Sequence, residues 1–327
     1  MSKDKLTENY LLRIFQDFMI TWYIYVGIDL GIFDFIHKKK IYSINEMAKM
    51  LNFREEILEN WCECMVVEGI LELEDNKYKL SKWAQKYLCK DSNSYIGYIL
   101  SAVEYFTEAF TKFEQAFNIN RKFPKKSSAE MLKIAKNIAP IANIVGPLIM
   151  ENIEKNKKLN VLDIGCGMGY YLIYIATHVN DMKGLGIDIE KKIIKEAKKN
   201  IIKLNLNNKI KFLVKDALNI KLNEKFDIVI LSNIVQAFSY EQNLKLFNKI
   251  RDLLNDDGKV FVIDCLLQEN KYESKFNVFF NLYLKFESLN ARLYTLNEIK
   301  NIASETSLKF DKHQNIFYGI DMIIFRK

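Results

Sequence analysis

Residues Val161 to Ala176 read VLDIGCGMGYYLIYIA, an apolar run that enters a turn with three glycines and leaves as a second apolar run. The pattern predicts a buried strand, a turn with its backbone laid bare, and a helix, so something is meant to come close to the turn. Spacing narrows what that is. A dinucleotide-binding turn reads G-x-G-x-x-G, and a phosphate loop ends in a lysine. Here Gly165, Gly167 and Gly169 are spaced G-x-G-x-G, and Tyr170, Tyr171 and Leu172 stand where the lysine would be. DIGCGMGYYL holds no basic residue and one carboxylate, Asp163. A pyrophosphate gains little beside that carboxylate, whereas a ligand with a positive centre and an ammonium group is favoured.

Downstream, strand-like runs recur: NVLDIG, KGLGID, IKFLVKD, FDIVILSNI, KVFVIDCLL, LKFDKHQNIF and GIDMIIFRK. Helical stretches separate the first five and precede the sixth. Apolar strands alternating with helices predict a doubly wound α/β fold, a mostly parallel Rossmann-like sheet of seven strands. The last two strands are joined by the short Tyr318-Gly319 turn and form a terminal hairpin, which places an antiparallel strand in the sheet. Ligands of such sheets bind at the carboxyl ends of the strands. There Asp188 is positioned to meet the two hydroxyls of a ribose. Asp216 can accept from an adenine amino group, beside a backbone N–H at Ala217.

The first hundred residues have another character. Ser43 and Glu46 form a capping box, Ile57, Trp61 and Met65 recur at four-residue spacing, Gly69 stops that helix, and Asp75-Asn76 marks a hairpin. Helix, turn, helix and two-stranded wing predict a winged helix. Its second helix carries Glu55, Glu56, Glu59, Glu63 and Glu68 against Arg54, which opposes a nucleic-acid role. The chain's formal charge of +7 is expected to reflect lysines spread along the chain downstream of residue 90. The most membrane-like stretch, Phe18 to Ile36, contains Asp29, Asp34, Gly27 and Gly31, and is expected to be an interface helix, with no membrane as a partner. Five cysteines, an odd number with no second pair to complete a zinc site, predict reduced thiols, a cytoplasmic location and no metal. Between the two parts, the basic run Arg121 to Lys126 is expected as a solvated loop, followed by a helix capped by Ser127 and Glu130.

With VLDIGCGMG, GIDIE, KDAL and DIVILSNIVQAF in this order, the second half resembles the class I S-adenosylmethionine-dependent methyltransferases. VGIDLGIFDFI, the helix pair, the wing and YKLSKWAQKYL resemble the dimerisation domain of the small-molecule O-methyltransferases. The resemblance implies a winged-helix dimerisation domain over residues 1–100, a helical connector over 101–158 and a cofactor-binding methyltransferase domain over 159–327. It implies a homodimer acting on a small molecule of specialised metabolism. S-Adenosylmethionine would be held by Asp163, Gly165, Gly167, Gly169, Asp188, Asp216, Ala217 and Ser232, and S-adenosylhomocysteine released.

The family places a histidine after the fourth strand, in a pattern like SNVLHHF, as the base that takes a hydroxyl proton. This chain reads SNIVQAF, so Gln236 stands there, and a glutamine orients an acceptor without taking its proton. His37, His178 and His313 lie elsewhere. Asp264 is a second candidate for acid–base work. The departure leaves nitrogen, sulfur and carbon open as acceptor atoms beside oxygen, and with them a relative that binds cofactor without methylating. The segment ESKFNVFFNLYLKFESL sets Phe276, Phe280 and Tyr283 along one helix face, with Phe279 and Phe286 on another. By the resemblance this segment covers the acceptor, and Tyr10, Phe15 and Phe18 of a second subunit complete the cavity.

Overall fold

A computed structural model describes residues 9–327 except 40–41, 93, 122, 124–125, 155, 271–272 and 318. Lys122, Pro124 and Lys125 of the expected loop, and Tyr318 of the expected terminal turn, lie outside the described residues. The chain forms two compact units, Met1–Lys112 and Phe113–Lys327, so the stretch 101–158 is divided between them.

The first unit contains helices α1 (Asn9–Asp29), α2 (Ile32–Lys39), α3 (Ile44–Leu51) and α4 (Glu55–Val67), strands β1 (Leu71–Glu74) and β2 (Lys77–Leu80), then α5 (Lys82–Tyr87) and α6 (Val103–Phe110). Ser43 caps α3, with its N–H donating to Glu46 Oε2 at 2.9 Å. Asp75 and Asn76 both adopt positive φ, 48° and 59°, as a two-residue hairpin turn requires. The apolar face of α4 departs from expectation. Leu58, Cys62 and Met65 are buried while Ile57 is exposed. Both stripes share Met65, but the Trp61 indole needs an acceptor and finds the Tyr23 carbonyl at the margin, 3.0 Å away. That leaves Leu58 and Cys62 to point inward. The stretch Phe18 to Ile36 is interrupted by Gly31, at φ 70°. No single helix among the described residues is long and apolar enough to cross a membrane; α1 with the first part of α2 reaches that length only as a pair bent by 59°.

The second unit runs α7 (Ser128–Ile138), α8 (Ile141–Glu151), β3 (Leu159–Ile164), α9 (Tyr170–His178), β4 (Met182–Asp188), α10 (Lys191–Lys203), β5 (Ile210–Val214), β6 (Phe226–Ser232), α11 (Tyr240–Leu253), β7 (Leu254–Leu267), α12 (Lys275–Glu287), β8 (Tyr294–Thr295), α13 (Leu296–Glu305), β9 (Lys309–Phe317) and β10 (Ile320–Arg326). The main sheet has the order β5-β4-β3-β6-β7-β10-β9. All seven expected strands are present; the first five are parallel, and β10 is antiparallel to both β7 and β9. The two-residue β8 pairs with the end of β7 and was not expected. Alternate residues feed two cores. Val161, Ile228, Ile230, Phe261 and Ile263 pack on one face with α8, α9 and α10. On the other, Leu162, Ile164, Val229, Leu231 and Val262 pack with α11 and α13. Strands buried on both faces leave their carboxyl ends as the accessible edge, where the glycine turn lies.

Candidate functional site

The glycine turn leaves β3 and enters α9. Gly165 and Gly169 have φ of 71° and 79°. A Cβ at Gly165 would overlap the Ile234 side chain, and one at Gly169 the Phe212 ring beneath it. Gly167 differs: the nearest atom to a Cβ there is Ala135 Cβ of α7, 4.0 Å off, so the middle of the turn faces open space. Gly167 N–H donates to Asp188 Oδ2 at 3.1 Å, and Glu190 N–H to Oδ1 at 2.9 Å. Burial raises the Asp188 carboxyl above its ordinary range, and those two bonds oppose the rise.

Asp163, directly before the turn, is 1% exposed, and neither of its side-chain oxygens has a hydrogen-bond partner. Burial, reinforced by the charge of Asp188, pushes its pKa up to about 8. A carboxyl left without partners is costly unless a donor or cation arrives. An open backbone cradle beside one buried and one half-buried acid suits a ligand carrying positive charge, and S-adenosylmethionine fits that donor set. Asp216 begins a short 3-10 turn, Ala217–Asn219, accepting from Leu218 N–H at 2.9 Å and from Asn219 Nδ2 at 2.7 Å. Each oxygen keeps a further lone pair for a ligand amino group. Ser232, at the end of β6, shares a 3.1 Å hydrogen bond with the Tyr171 hydroxyl.

The other side of the edge centres on Gln236, in a 3-10 turn over Val235–Ala237. It is 8% exposed, its Nε2 donates to Asn233 Oδ1 at 3.4 Å, and its Oε1 is buried without a partner. Asp264 lies beneath and accepts from Gln236 N–H at 3.2 Å and Cys265 N–H at 3.0 Å. Burial raises its pKa to about 7, while backbone bonds from Gln236, Cys265 and Val235 act the other way. The Asp264 carboxylate therefore clips the turn that presents Gln236. From the far side, Arg292 N–H donates to the Gln236 carbonyl at 2.9 Å.

None of the three histidines lies beside Gln236 in a bonded contact. His37 is exposed on α2 in the first unit. His178 stacks on Tyr174 and bonds to that residue's carbonyl. His313 Nε2 lies 2.7 Å from Asp321 Oδ1, within the terminal strands. On α12, Phe276, Phe280 and Tyr283 stack in series with centroid spacings of 5.8 and 5.9 Å. Phe276 is exposed, Phe280 half-buried and Tyr283 buried, with its hydroxyl donating to Glu287.

The two ends of the basic run, Arg121 and Lys126, expected to be solvated, are engaged. Arg121 sits over the Phe286 ring, 4.3 Å from its centroid, and Lys126 pairs with Glu287 at 2.7 Å. A delocalised guanidinium gains by covering an aromatic face, which a sequence run cannot disclose. The helix expected after the Ser127/Glu130 box is α7, but its seat beside the glycine turn was not foreseen: its Ser128 hydroxyl donates to Glu190 at 2.7 Å, and its Ala135 is the nearest side chain to the open face of Gly167. Among the described residues, no group of three or more His, Cys, Asp or Glu side chains is placed to hold a metal.

Comparison with known proteins accords with this geometry. A family model described as a methyltransferase domain matches residues 155–321. O-methyltransferase 7 of Dictyostelium discoideum is 21% identical over 311 residues, spanning 91% of this chain and 88% of the relative. Among solved structures, human N-acetylserotonin methyltransferase in complex with S-adenosylmethionine superposes with a TM-score of 0.81 at 16% identity, covering 100% of this chain and 99% of that one. An O-methyltransferase family protein from Burkholderia thailandensis gives 0.79 at 14% identity, covering 99% of each. With the family model spanning half of the sequence and the fold shared end to end, the chain belongs to the methyltransferase-domain family and has the class I, S-adenosylmethionine-dependent fold.

Proposed function

We propose that this protein methylates a small molecule, at a hydroxyl of an aromatic or apolar metabolite, as a cytoplasmic homodimer of specialised metabolism. The observation that carries the reading is Asp163, a buried carboxyl without a partner at the mouth of an open glycine turn. With Asp188 beside it, this acid favours a cationic ligand. The turn binds through backbone, Asp188 through its remaining lone pairs to ribose hydroxyls, Asp216 and the Ala217 N–H to adenine, with Ser232 alongside. When bound, S-adenosylmethionine supplies a methyl group on a sulfonium, which leaves by in-line displacement.

The chain's own task is then to hold the acceptor in line and exclude water, where positioning alone contributes on the order of 7–11 kcal/mol. Gln236 Oε1 accepts a hydrogen bond from the acceptor's O–H or N–H and fixes its direction. It takes no proton, and Asp264 beneath it is engaged with backbone N–H groups. The acceptor's proton must leave to solvent, or the acceptor must arrive ionised, as an acidified phenol does. The same observation favours a second reading, in which an amine or thiol is the nucleophile and no base is needed. Phe276, Phe280 and Tyr283 supply an aromatic wall for a flat acceptor.

Dimerisation is supported by α1, whose Leu11, Leu12, Ile14, Phe15 and Phe18 are exposed along one helix. An apolar face of that size asks for a cover, and a second copy is the natural one. The helix pair α3–α4 with the β1–β2 hairpin has winged-helix order, and the five glutamates on and just after α4 are all exposed, which suits a structural role over a nucleic-acid one. Five free cysteines support a reducing compartment.

The test is label transfer from methyl-labelled S-adenosylmethionine into a small-molecule extract of the host, with Asp188→Ala as control. Label appearing in an extractable compound only with the intact protein is the expected result, and mass spectrometry then identifies the acceptor atom. Cofactor binding without any transfer would favour a non-methylating relative. No binding at all would sink the reading of the glycine turn.

A further inference from the structure

The charge surplus, expected to be spread over the downstream lysines, is concentrated. Residues 191–215 hold nine lysines and one glutamate, a net +8. The whole chain is +7, which leaves −1 for the other 302 residues. A lysine-rich composition alone would raise the charge everywhere; here the surplus coincides with one helix and the edge strand beside it.

On α10 the distribution is sharper still. Ile193, Ile194, Ala197 and Ile201 are buried against the sheet, and Lys191, Lys192, Lys195, Lys198, Lys199 and Lys203 are all exposed. At about 100° per residue the six lysines fall within an arc of about 140°. Ile202 lies inside that arc, 63% exposed, and Leu204 follows it, 49% exposed. The segment's acid, Glu196, is half-buried and paired with Lys199 at 2.7 Å. Lys136 of α7 is exposed and near enough to help lower the Glu196 pKa, so it extends the same positive field. Lys211 on β5 adds another exposed cation, whereas Lys209 is used internally, donating to the Ala176 and Val179 carbonyls.

We infer that the outward face of α10 docks on an anionic lipid bilayer. Residue types separate this partner from others. Nucleic-acid surfaces add arginine forks and stacking aromatics to their phosphate-binding lysines, and this face has neither addition. Protein interfaces are poor in lysine and anchored by aromatics or arginine. Lysine with protruding aliphatics is the pattern of a surface that lies on lipid: long stems keep their ammonium groups at the headgroups while isoleucine and leucine enter the acyl boundary. Although α10 begins three residues after Asp188, membrane partition is read without cofactor or acceptor, so the inference stands or falls independently of the methyl-transfer reading.

The test is co-sedimentation of the full chain with large vesicles of phosphatidylcholine, with or without one-third phosphatidylglycerol, at low salt. Binding is expected only with phosphatidylglycerol, and is expected to vanish at about 1 M salt, where the screening length falls to roughly 3 Å. The combined variant Lys192→Gln, Lys195→Gln, Lys198→Gln and Lys199→Gln should lower the partition coefficient on the order of hundred- to thousand-fold. Ile202→Ser should lower it several-fold without changing net charge. A control removing equal charge from the first unit, Lys38→Gln, Lys49→Gln, Lys77→Gln and Lys82→Gln, should bind as the unaltered protein does. Equal loss in the control, or equal binding to both vesicles, would overturn the inference. So would tighter binding to a duplex oligonucleotide that the α10 variant abolishes.

Discussion

Across the carboxyl edge of the sheet, the β3–β4 side and the β6–β7 side are both held by contacts distant in the chain, but they use their acids differently. On the first, the glycine turn is fixed by Asp188, 21 residues after Gly167, and by Phe212 beneath Gly169. On the second, Gln236 depends on Asp264, 28 residues further along, and on Arg292 beyond α12. The first side also leaves its acid, Asp163, without partners, while the second gives its acid, Asp264, a set of backbone donors. One side holds a carboxyl with no partner, which on the proposed reading is kept for a cationic ligand. The other spends its carboxyl on shaping a turn. Two aspartates with similar burial thus differ in whether the fold itself uses them.

The largest break in this comparison is expected from Gly169→Val. It places a branched side chain at φ 79° and into the Phe212 ring, so cofactor affinity measured by calorimetry should fall on the order of hundred-fold or more. Unchanged affinity would mean the turn is not the cradle. Gln236→Ala should lower kcat/KM on the order of ten-fold and leave cofactor affinity alone. Gln236→His should add an acidic limb near pH 6.5 to the rate profile, as an imidazole there begins to take the acceptor's proton. A flat profile in that variant would place the nucleophile elsewhere.

A smaller effect comes from pH. Both acids bind their protons more tightly folded than unfolded: Asp163 titrates at about 8 and Asp264 at about 7, against 3.8 when unfolded. Their contribution to stability is therefore full below pH 3.8 and is lost as pH rises to about 8 and about 7 respectively. Tm of the ligand-free protein should fall by several degrees between pH 5 and pH 8. Asp163→Asn should flatten that slope. Its loss would also remove the proton release expected when a cationic cofactor binds at neutral pH, read as a buffer-dependent binding enthalpy. The smallest expected change is Tyr283→Phe, which removes one hydrogen bond to Glu287 and should cost about 1 kcal/mol of stability with little effect on cofactor binding.

What was legible in the sequence divides by the reach of the contacts involved. Strand and helix periods, the capping boxes at Ser43 and Ser127, and the Asp75-Asn76 hairpin are local signals, and each appears where expected. So is the spacing of Gly165, Gly167 and Gly169. The choice between Ile57 and Leu58 as the buried face of α4 was settled by an indole seeking a carbonyl 38 residues away. The seat of α7 on the turn, the stacking of Arg121 on Phe286 and the role of Asp264 as a clip all join residues far apart in the chain. No short window carries them. The missing histidine was legible, but how Gln236 is presented in its place was not, because that depends on Asp264 in the next strand.

The position of β10 has a consequence for how the protein comes into being. Residues 320–326 fill the gap between β7 and β9, so β7 has no partner on that side until they have been synthesised. While the ribosome is still adding α12 and α13, the five parallel strands can assemble with one long apolar edge open to any other chain. This late strand is thus an internal beam of the sheet, and its arrival is what covers the open edge of β7.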